Sequence, residues 1–531
     1  MGCGLGTGRA RAGADLYGGR HAFLRDCDLA FDGDRISFVG KAYDGAVDEV
    51  IDARGKMLLP GFVNIHSHPN SEPLLKGLSE ERKSRQLNMS SLYEYIFLLG
   101  RPAHDLAVDP DTAHFGTADF AAYSAACQVA IAEMLRSGVT CFVDYSANRR
   151  TGSTKSRAPV SAPWSRRPFR SGEWYTPNGH EVLYRWNEPR GRQGLDGAVA
   201  LIMQAQKHPS GLLSGMMAPA QVDTCTADLM VDASAAARDL GVPCQTPSRA
   251  VGRRGARDVP PPRQDAGRLA GRSRRARAAF HPRPRHLPRS SFLDPGPDHI
   301  DLDLIADSGT SVAHCPNQFA RGGMVLEHFG KYVKRGVNMG LGTDTFPHNF
   351  IDEMRWAIVV AKIASADIGS TSLAEVFTAA TVGGAKALGR DDIGRCIRAA
   401  RPTSRWSIWR IRRCSRCAIR SRAWCFTALE RPITDVYVAG QPVVRDGMVL
   451  TIDLAANLAE LSAGQARNMQ GISERRLGQA VPPRRRFRCR SVGPAATDDR
   501  FGRTARAAGR GAVHRRGSLH QRRRAAGAPD A

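Results

Sequence analysis

Between residues 22 and 52 the chain reads AFLRDCDLAFDGDRISFVGKAYDGAVDEVID, with apolar and polar positions alternating between breaks at Asp-Gly and Gly. A period of two with such breaks predicts short strands joined by tight turns. The next stretch, GKMLLPGFVNIHSHPN, has another pattern. Met57 to Ile65 is an apolar run without helical period, broken at Pro60 and Gly61, and it predicts a buried strand. A polar loop follows, and helical patterns recur in MSSLYEYIFLLG and across Asp111 to Ser137. Further on, GTSVAHCPNQFARGG predicts a strand ending at His314, and GVNMGLGTDTFPHN one ending in Asp344.

The polar residues that end these strands carry the candidate chemistry. In a strand, residues i and i+2 point to the same face, so His66 and His68 leave the strand side by side. Two convergent imidazoles make half of a metal site. Two histidines in a loop would mean nothing by themselves, but here a second strand ends in His314 and a third in Asp344, with helical stretches between. Together these elements describe a parallel α/β barrel with its chemistry at the C-terminal ends of the strands.

Charge changes the picture only locally. The 531-residue chain has a net charge of +25 and a pI near 10.2, which ordinarily points to a polyanionic partner. The excess is concentrated in four stretches. Arg149 to Ser171 holds seven basic and no acidic residues, and Arg249 to Arg289 thirteen against two. Ile397 to Trp424 holds nine against none, and Arg475 to Ala531 sixteen against three. These stretches carry an excess of 40 positive charges, which leaves −15 on the rest of the chain.

The first nineteen residues contain Arg but no apolar run, and no segment reaches the roughly 18 apolar residues a membrane span needs. Twelve irregularly spaced cysteines make no disulfide framework, so a cytoplasmic location is expected. Cys414 and Cys417 have metal-ligand spacing but no second pair in reach.

The stretches LPGFVNIHSHP, SGVTCFVDYS, VAHCPNQFARGGM and GVNMGLGTDT resemble the amidohydrolase superfamily. The branch is the one containing cytosine, guanine and S-adenosylhomocysteine deaminases and triazine hydrolases. The resemblance covers most of residues 20–455 outside the basic stretches. It implies a metal-dependent (β/α)8 TIM barrel with a small β-sandwich formed by the N- and C-terminal flanks, to which Thr427 to Leu454 would return strands. The implied boundaries are 1–59 for the N-terminal part of the sandwich and 60–395 for the barrel, with 149–171 and 247–297 scrambled or disordered. The C-terminal part of the sandwich would be 396–455, and 475–531 a basic disordered tail. The resemblance makes His66 and His68 metal ligands and Asp344 both ligand and base. His314 would face the substrate or orient a developing oxyanion. One divalent ion, zinc or Fe(II), is expected, since GLLSGMMAPAQVDTC in the strand-four region has no Lys to bridge a second. The implied substrate is a small molecule, a nitrogen heterocycle or an amide, with no nucleic acid and no membrane involved. A homo-oligomer is compatible with the sequence.

The family needs two further histidines, at the ends of strands five and six, between Val242 and Asp301. The chain offers His281, His286 and His299 there, in Arg/Pro-rich sequence that cannot supply ladder hydrogen bonds. Read with its codons out of step, Arg283 to Asp294 permits a family-like strand with a histidine. Pro247 to Ala270 likewise permits a histidine and an amphipathic helix, and Ile397 to Cys425 a run like the family's C-terminal flank. Frame-shifted translation of a GC-rich gene accounts for all three. At the Ala250/Val251 junction the shifted codon begins with C, which excludes the Glu common in deaminases of this branch. Hydrolysis of another carbon–nitrogen bond, or displacement at an electron-poor ring carbon, therefore stays open.

Two other classes compete. An Arg-rich nucleic-acid-binding protein would use the basic stretches for phosphate contacts, but they form no helical charge face and interleave few aromatics. A catalytically dead amidohydrolase-like scaffold is what the literal chain would be without the strand-five and strand-six histidines.

Overall fold

The computed structural model describes residues 7–17, 23–53, 56–69, 120–145, 163–165, 169–175, 183–247, 300–321, 325–326, 329–396, 407–412 and 433–477. Five strands open the chain: β1 (Thr7–Tyr17), β2 (Phe23–Asp32), β3 (Arg35–Gly40), β4 (Glu49–Asp52) and β5 (Lys56–Pro60). Then come β6 (Phe62–Ser67), helix α1 (Phe120–Arg136), β7 (Val139–Asp144) and β8 (Pro163–Ser165). A hairpin of β9 (Gly172–Tyr175) and β10 (Leu183–Trp186) precedes α2 (Glu188–Gln206), β11 (Ser214–Gly215) and α3 (Ala227–Asp239). After residue 299 follow α4 (Ile300–Asp307), β12 (Val312–His314), α5 (Pro316–Arg321), α6 (Phe329–Lys334) and β13 (Met339–Leu341). The chain continues through α7 (Phe350–Ser365), α8 (Leu373–Thr378), a π-helical turn at Ala379–Gly383 and α9 (Gly384–Ala387). It ends with β14 (Ser407–Arg412), β15 (Ile433–Val438), β16 (Gln441–Arg445), β17 (Met448–Val449) and α10 (Leu454–Leu477).

Two sheets organise these elements. A parallel sheet of six strands runs β11-β8-β7-β6-β13-β12, so the first of its strands in sequence, β6, lies between the second, β7, and the last, β13. Beyond β11, Cys244 bridges Met217 in parallel, and the Gln245 N–H donates to the Met217 carbonyl at 3.0 Å. The N- and C-terminal flanks meet in one mixed sheet of nine strands, ordered β17-β16-β15-β14-β5-β1-β2-β3, with β4 paired to β1. There β14 sits between β5 and β15, antiparallel to both.

The apolar run Met57 to Ile65 is therefore two strands and not one. β5 belongs to the nine-stranded sheet and β6 to the parallel one. Pro60 has no N–H to continue a ladder, and a Cβ on Gly61 would fall 1.9 Å from Thr140 Oγ1, so only glycine lets the chain pass between the sheets there. The helix expected over Asp111 to Ser137 spans Phe120–Arg136, and residues 111–119 lie outside the described residues.

Parts of the basic stretches are also built in. Within 149–171, β8 pairs with β7 and β11, and Phe169 is buried, so this end of the stretch is ordered backbone. Pro247 accepts a hydrogen bond from Val222 N at 3.3 Å, whereas 248–297 lie outside the described residues. Arg475 to Leu477 continue α10 and do not start a disordered tail. That helix is anchored upstream, where Leu461 packs on Ala122 and Ala126 of α1. Cys414, Cys417, the MSSLYEYIFLLG segment and residues 478–531 lie outside the described residues.

The largest core joins the sheets. Phe62 of β6, Phe329 of α6 and Phe350 of α7 are fully buried together with Met134, Leu135 and Leu341. Each such side chain contributes about 1.5–3 kcal/mol of burial, and together they set the base on which β6 and β13 lie. Among the described residues no helix is long and apolar enough to cross a membrane.

Candidate metal centre

β6 is buried at every position, and its pattern FVNIHS puts Asn64 and His66 on one face. β13 pairs with it through Leu341 and Asn64. Just past β13 the backbone turns at Asp344, whose φ of 57° lies in the left-handed region. Asp tolerates this better than most residues, and two backbone hydrogen bonds hold it there. Asp344 N donates to the His66 carbonyl at 2.9 Å, and His68 N donates to the Asp344 carbonyl at 2.6 Å.

These turns bring three side chains together. His66 Nε2 is 3.5 Å and His68 Nε2 3.4 Å from Asp344 Oδ1. One donor atom from each of the three lies within 4.8 Å of the others. The imidazole centroids are 5.2 Å apart with planes at 73°. Bonds of about 2.0–2.1 Å to a tetrahedral ion put neighbouring ligand atoms about 3.3 Å apart, so the two His-to-Asp distances fit such an ion and this donor set suits one.

A buried polar chain supports the cluster. Asn64 Nδ2 donates to Thr343 Oγ1 at 2.9 Å, and Thr343 N donates to Asn64 Oδ1 at 3.2 Å. The same Oδ1 accepts from His66 N at 3.3 Å. Thr343 Oγ1 is 2.7 Å from His348 Nδ1, and His348 N donates to Glu133 of α1 at 3.2 Å. Neighbours one and two residues before the clustered groups are thus cross-linked between β6 and β13.

Burial alone would push Asp344 up, but the hydrogen bond from His66 and the charges of His66, His68 and His348 outweigh it and hold the carboxyl at about 2. It is an anion across the neutral range. His314 ends β12 beside β13, and its carbonyl accepts from Gly342 N at 2.9 Å. Burial lowers its imidazole to about 4, which leaves it neutral. Burial also pushes Glu353 of α7 well above the ordinary carboxyl range, offset in part by the Asn317 N–H at 3.2 Å.

Of the residues singled out in the sequence, His66, His68 and Asp344 come together, while His314 stands outside that cluster on the adjacent strand. His281, His286 and His299 lie outside the described residues. Sequence reasoning missed Asn64, Thr343, His348, Tyr145 and Gln245. Asn64 was accessible, because a polar residue two before His66 in an apolar strand shares its face. Tyr145 and Gln245 had no local signal: the Tyr145 ring lies 4.1 Å from His66 and 5.3 Å from His68, and its hydroxyl donates to Gln245 Oε1.

The parallel sheet with intervening helices and polar groups clustered after β6 and β13 defines an α/β fold of TIM-barrel type with a candidate metal centre at its strand ends. A family model described as the amidohydrolase family matches residues 280–396. A 5-methylthioadenosine/S-adenosylhomocysteine deaminase of Natronomonas pharaonis is 23% identical over 383 residues, 69% of this chain and 77% of the relative. An adenosine deaminase from Xanthomonas campestris, solved with bound zinc, shares the fold with a TM-score of 0.63 and 20% identity, over 87% of this chain and 98% of that one. An atrazine chlorohydrolase from Arthrobacter aurescens, complexed with zinc, gives a TM-score of 0.62 and 20% identity over 86% and 100%. Residues 280–396 thus match the amidohydrolase family, and the chain is similar in sequence and in fold to the deaminases and the hydrolase named above.

Proposed function

We propose that the chain is a metal-dependent hydrolase of carbon–nitrogen bonds other than peptide bonds, acting on small nitrogen heterocycles or amides. The observation that carries this reading is the convergence of His66, His68 and Asp344 at the ends of β6 and β13. In this reading the six parallel strands are part of a closed (β/α)8 barrel spanning 60–395, and the flanks 1–59 and 396–455 form its sandwich. His66, His68 and Asp344 would hold one divalent ion, zinc or Fe(II), and both solved relatives described above are zinc-bound. When bound, such an ion supplies a Lewis acid and brings the acidity of a water molecule near neutrality. Asp344, ionised at neutral pH, accepts a proton from water and returns it to the leaving nitrogen. His314, neutral at that pH, faces the substrate and orients the oxygen on which negative charge develops. For a ring amine the balance is one water consumed and one ammonia released.

A second reading is favoured by one observation. Where the chain runs parallel beside Met217, residues 242–247 bring Gln245 and no histidine, and the described cluster holds three donors. A three-donor site holds metal more weakly than a closed set. On this reading the literal chain is a scaffold without turnover, and the basic stretches reflect a shifted frame. Two measurements separate the readings. Zinc or iron bound one to one, with ammonia release from adenosine-type amines, aminotriazines or amides, supports the hydrolase. Absence of both, with coding DNA from Asp239 to Asp301 confirmed as translated, removes it.

A further inference from the structure

We infer that Tyr145 and Gln245 form a positioning pair for the two histidines of the cluster, a deepening that rests on the metal-site reading above. Tyr145 follows β7 and is 2% exposed. Its backbone N–H donates to the Ser67 carbonyl at 2.7 Å, so the residue is tied to the backbone between His66 and His68. Its ring packs against both imidazoles, at 4.1 and 5.3 Å between centroids. The far end of the ring is tied as well, because its hydroxyl donates to Gln245 Oε1, and Gln245 is itself fixed by its backbone bond to Met217.

An aromatic ring held at both ends limits rotation of the imidazoles that touch it, and so decides which ring nitrogen of each turns toward Asp344. Gln245 thereby acts on a site it does not ligate, and links the segment bridged to Met217 to the two histidines at the end of β6. Neighbours that orient metal ligands commonly matter by about 10–100-fold in affinity.

The test uses the full chain and zinc alone, with a chelator competition as readout. Replacing the ring, Tyr145→Leu, is expected to weaken zinc by about tenfold or more. Tyr145→Phe and Gln245→Leu should each weaken it by a smaller factor, and the double variant should be no weaker than the worse single. A readout on the metal-free chain runs in parallel: carbethoxylation of His66 and His68 by diethyl pyrocarbonate, mapped by mass spectrometry. Both histidines should react several-fold faster in Tyr145→Leu, with far-ultraviolet circular dichroism unchanged. Tyr145→Phe, which keeps the ring and the packing, guards against a variant that fails to fold. Unchanged zinc affinity and unchanged modification rates in Tyr145→Leu overturn the inference, and multiplicative penalties in the double variant overturn the pairing. If Asp344→Ala binds zinc as well as the unsubstituted chain, the metal reading falls separately, and the modification rates still decide whether Tyr145 holds the histidines.

Discussion

The seam between β6 and β13 and the edge formed by β8 and β11 belong to one parallel sheet, yet they are held by different forces. At the seam, the single ladder pair of Leu341 and Asn64 is extended by side-chain hydrogen bonds from Asn64 to Thr343 and by backbone bonds that reach Asp344 and His68. At the edge, the register consists of Ser214 against Trp164 and Gly215 against Ser165, and the support is apolar, with Ile202 of α2 fully buried against Gly215. A buried polar network fixes positions to within a hydrogen bond, whereas apolar packing fixes volume. The sheet therefore puts precision where three polar side chains must converge, and leaves the edge to close by bulk.

Breaking the seam at its polar end should have the largest effect. Asp344→Ala or His66→Ala removes one of three donors, and zinc affinity measured by chelator competition should fall by about 100-fold or more. A substitution in the apolar support of the edge such as Ile202→Val should leave it within a few-fold.

Acid should expose a second difference. His314 on the seam side has an imidazole lowered by burial to about 4 from an ordinary 6.5. The unfolded chain then takes up the proton first as pH falls, so the folded state loses stability between about 6.5 and 4 and loses none from this group above 6.5. The full loss is about 3 kcal/mol, and His314→Gln should flatten that part of a urea-denaturation pH profile. A slope unchanged by the substitution would show that His314 is not the group responsible.

Asn64→Leu strands the Thr343 N–H in the interior, at a cost of about 1–3 kcal/mol, together with weakened zinc binding. Gly215→Ala at the edge puts a Cβ 2.6 Å from Ile202 Cγ1 and should cost a similar 1–3 kcal/mol by overpacking, about the usual range, but with zinc affinity intact. Equal losses of zinc affinity in the two variants would erase the distinction between seam and edge. The smallest effect belongs to the surface: Asp303→Asn removes the half-exposed pair with Arg335, worth about 0–1 kcal/mol, and should move neither property beyond that.

Legibility followed the range of the contacts. His66 and His68 could be paired from a strand's period of two, and Asp344 and His314 stood out because each ends an apolar run. The division of Met57 to Ile65 between two sheets was not legible, since both halves are apolar and only the contact of Gly61 with Thr140, far along the chain, separates them. The strand β14 was equally hidden. SIWRIR lies in the basic stretch Ile397 to Trp424, where no strand period was read, yet backbone pairing with β5 and β15 places it inside a sheet. Ladder hydrogen bonds use main-chain groups that every non-proline residue carries, so pairing partners on both sides can order a strand whose composition is unusual.

By itself, the sequence determined which strand-end residues are the candidates for chemistry, because strand periodicity and apolar runs are local properties, and its motifs carried the resemblance to a superfamily. Only the tertiary structure decided that His66, His68 and Asp344 meet, and that Asn64, Tyr145 and Gln245 hold them. Those contacts join residues separated by as many as 279 positions, and nothing along the chain encodes such a distance until β6, β7 and β13 pack side by side.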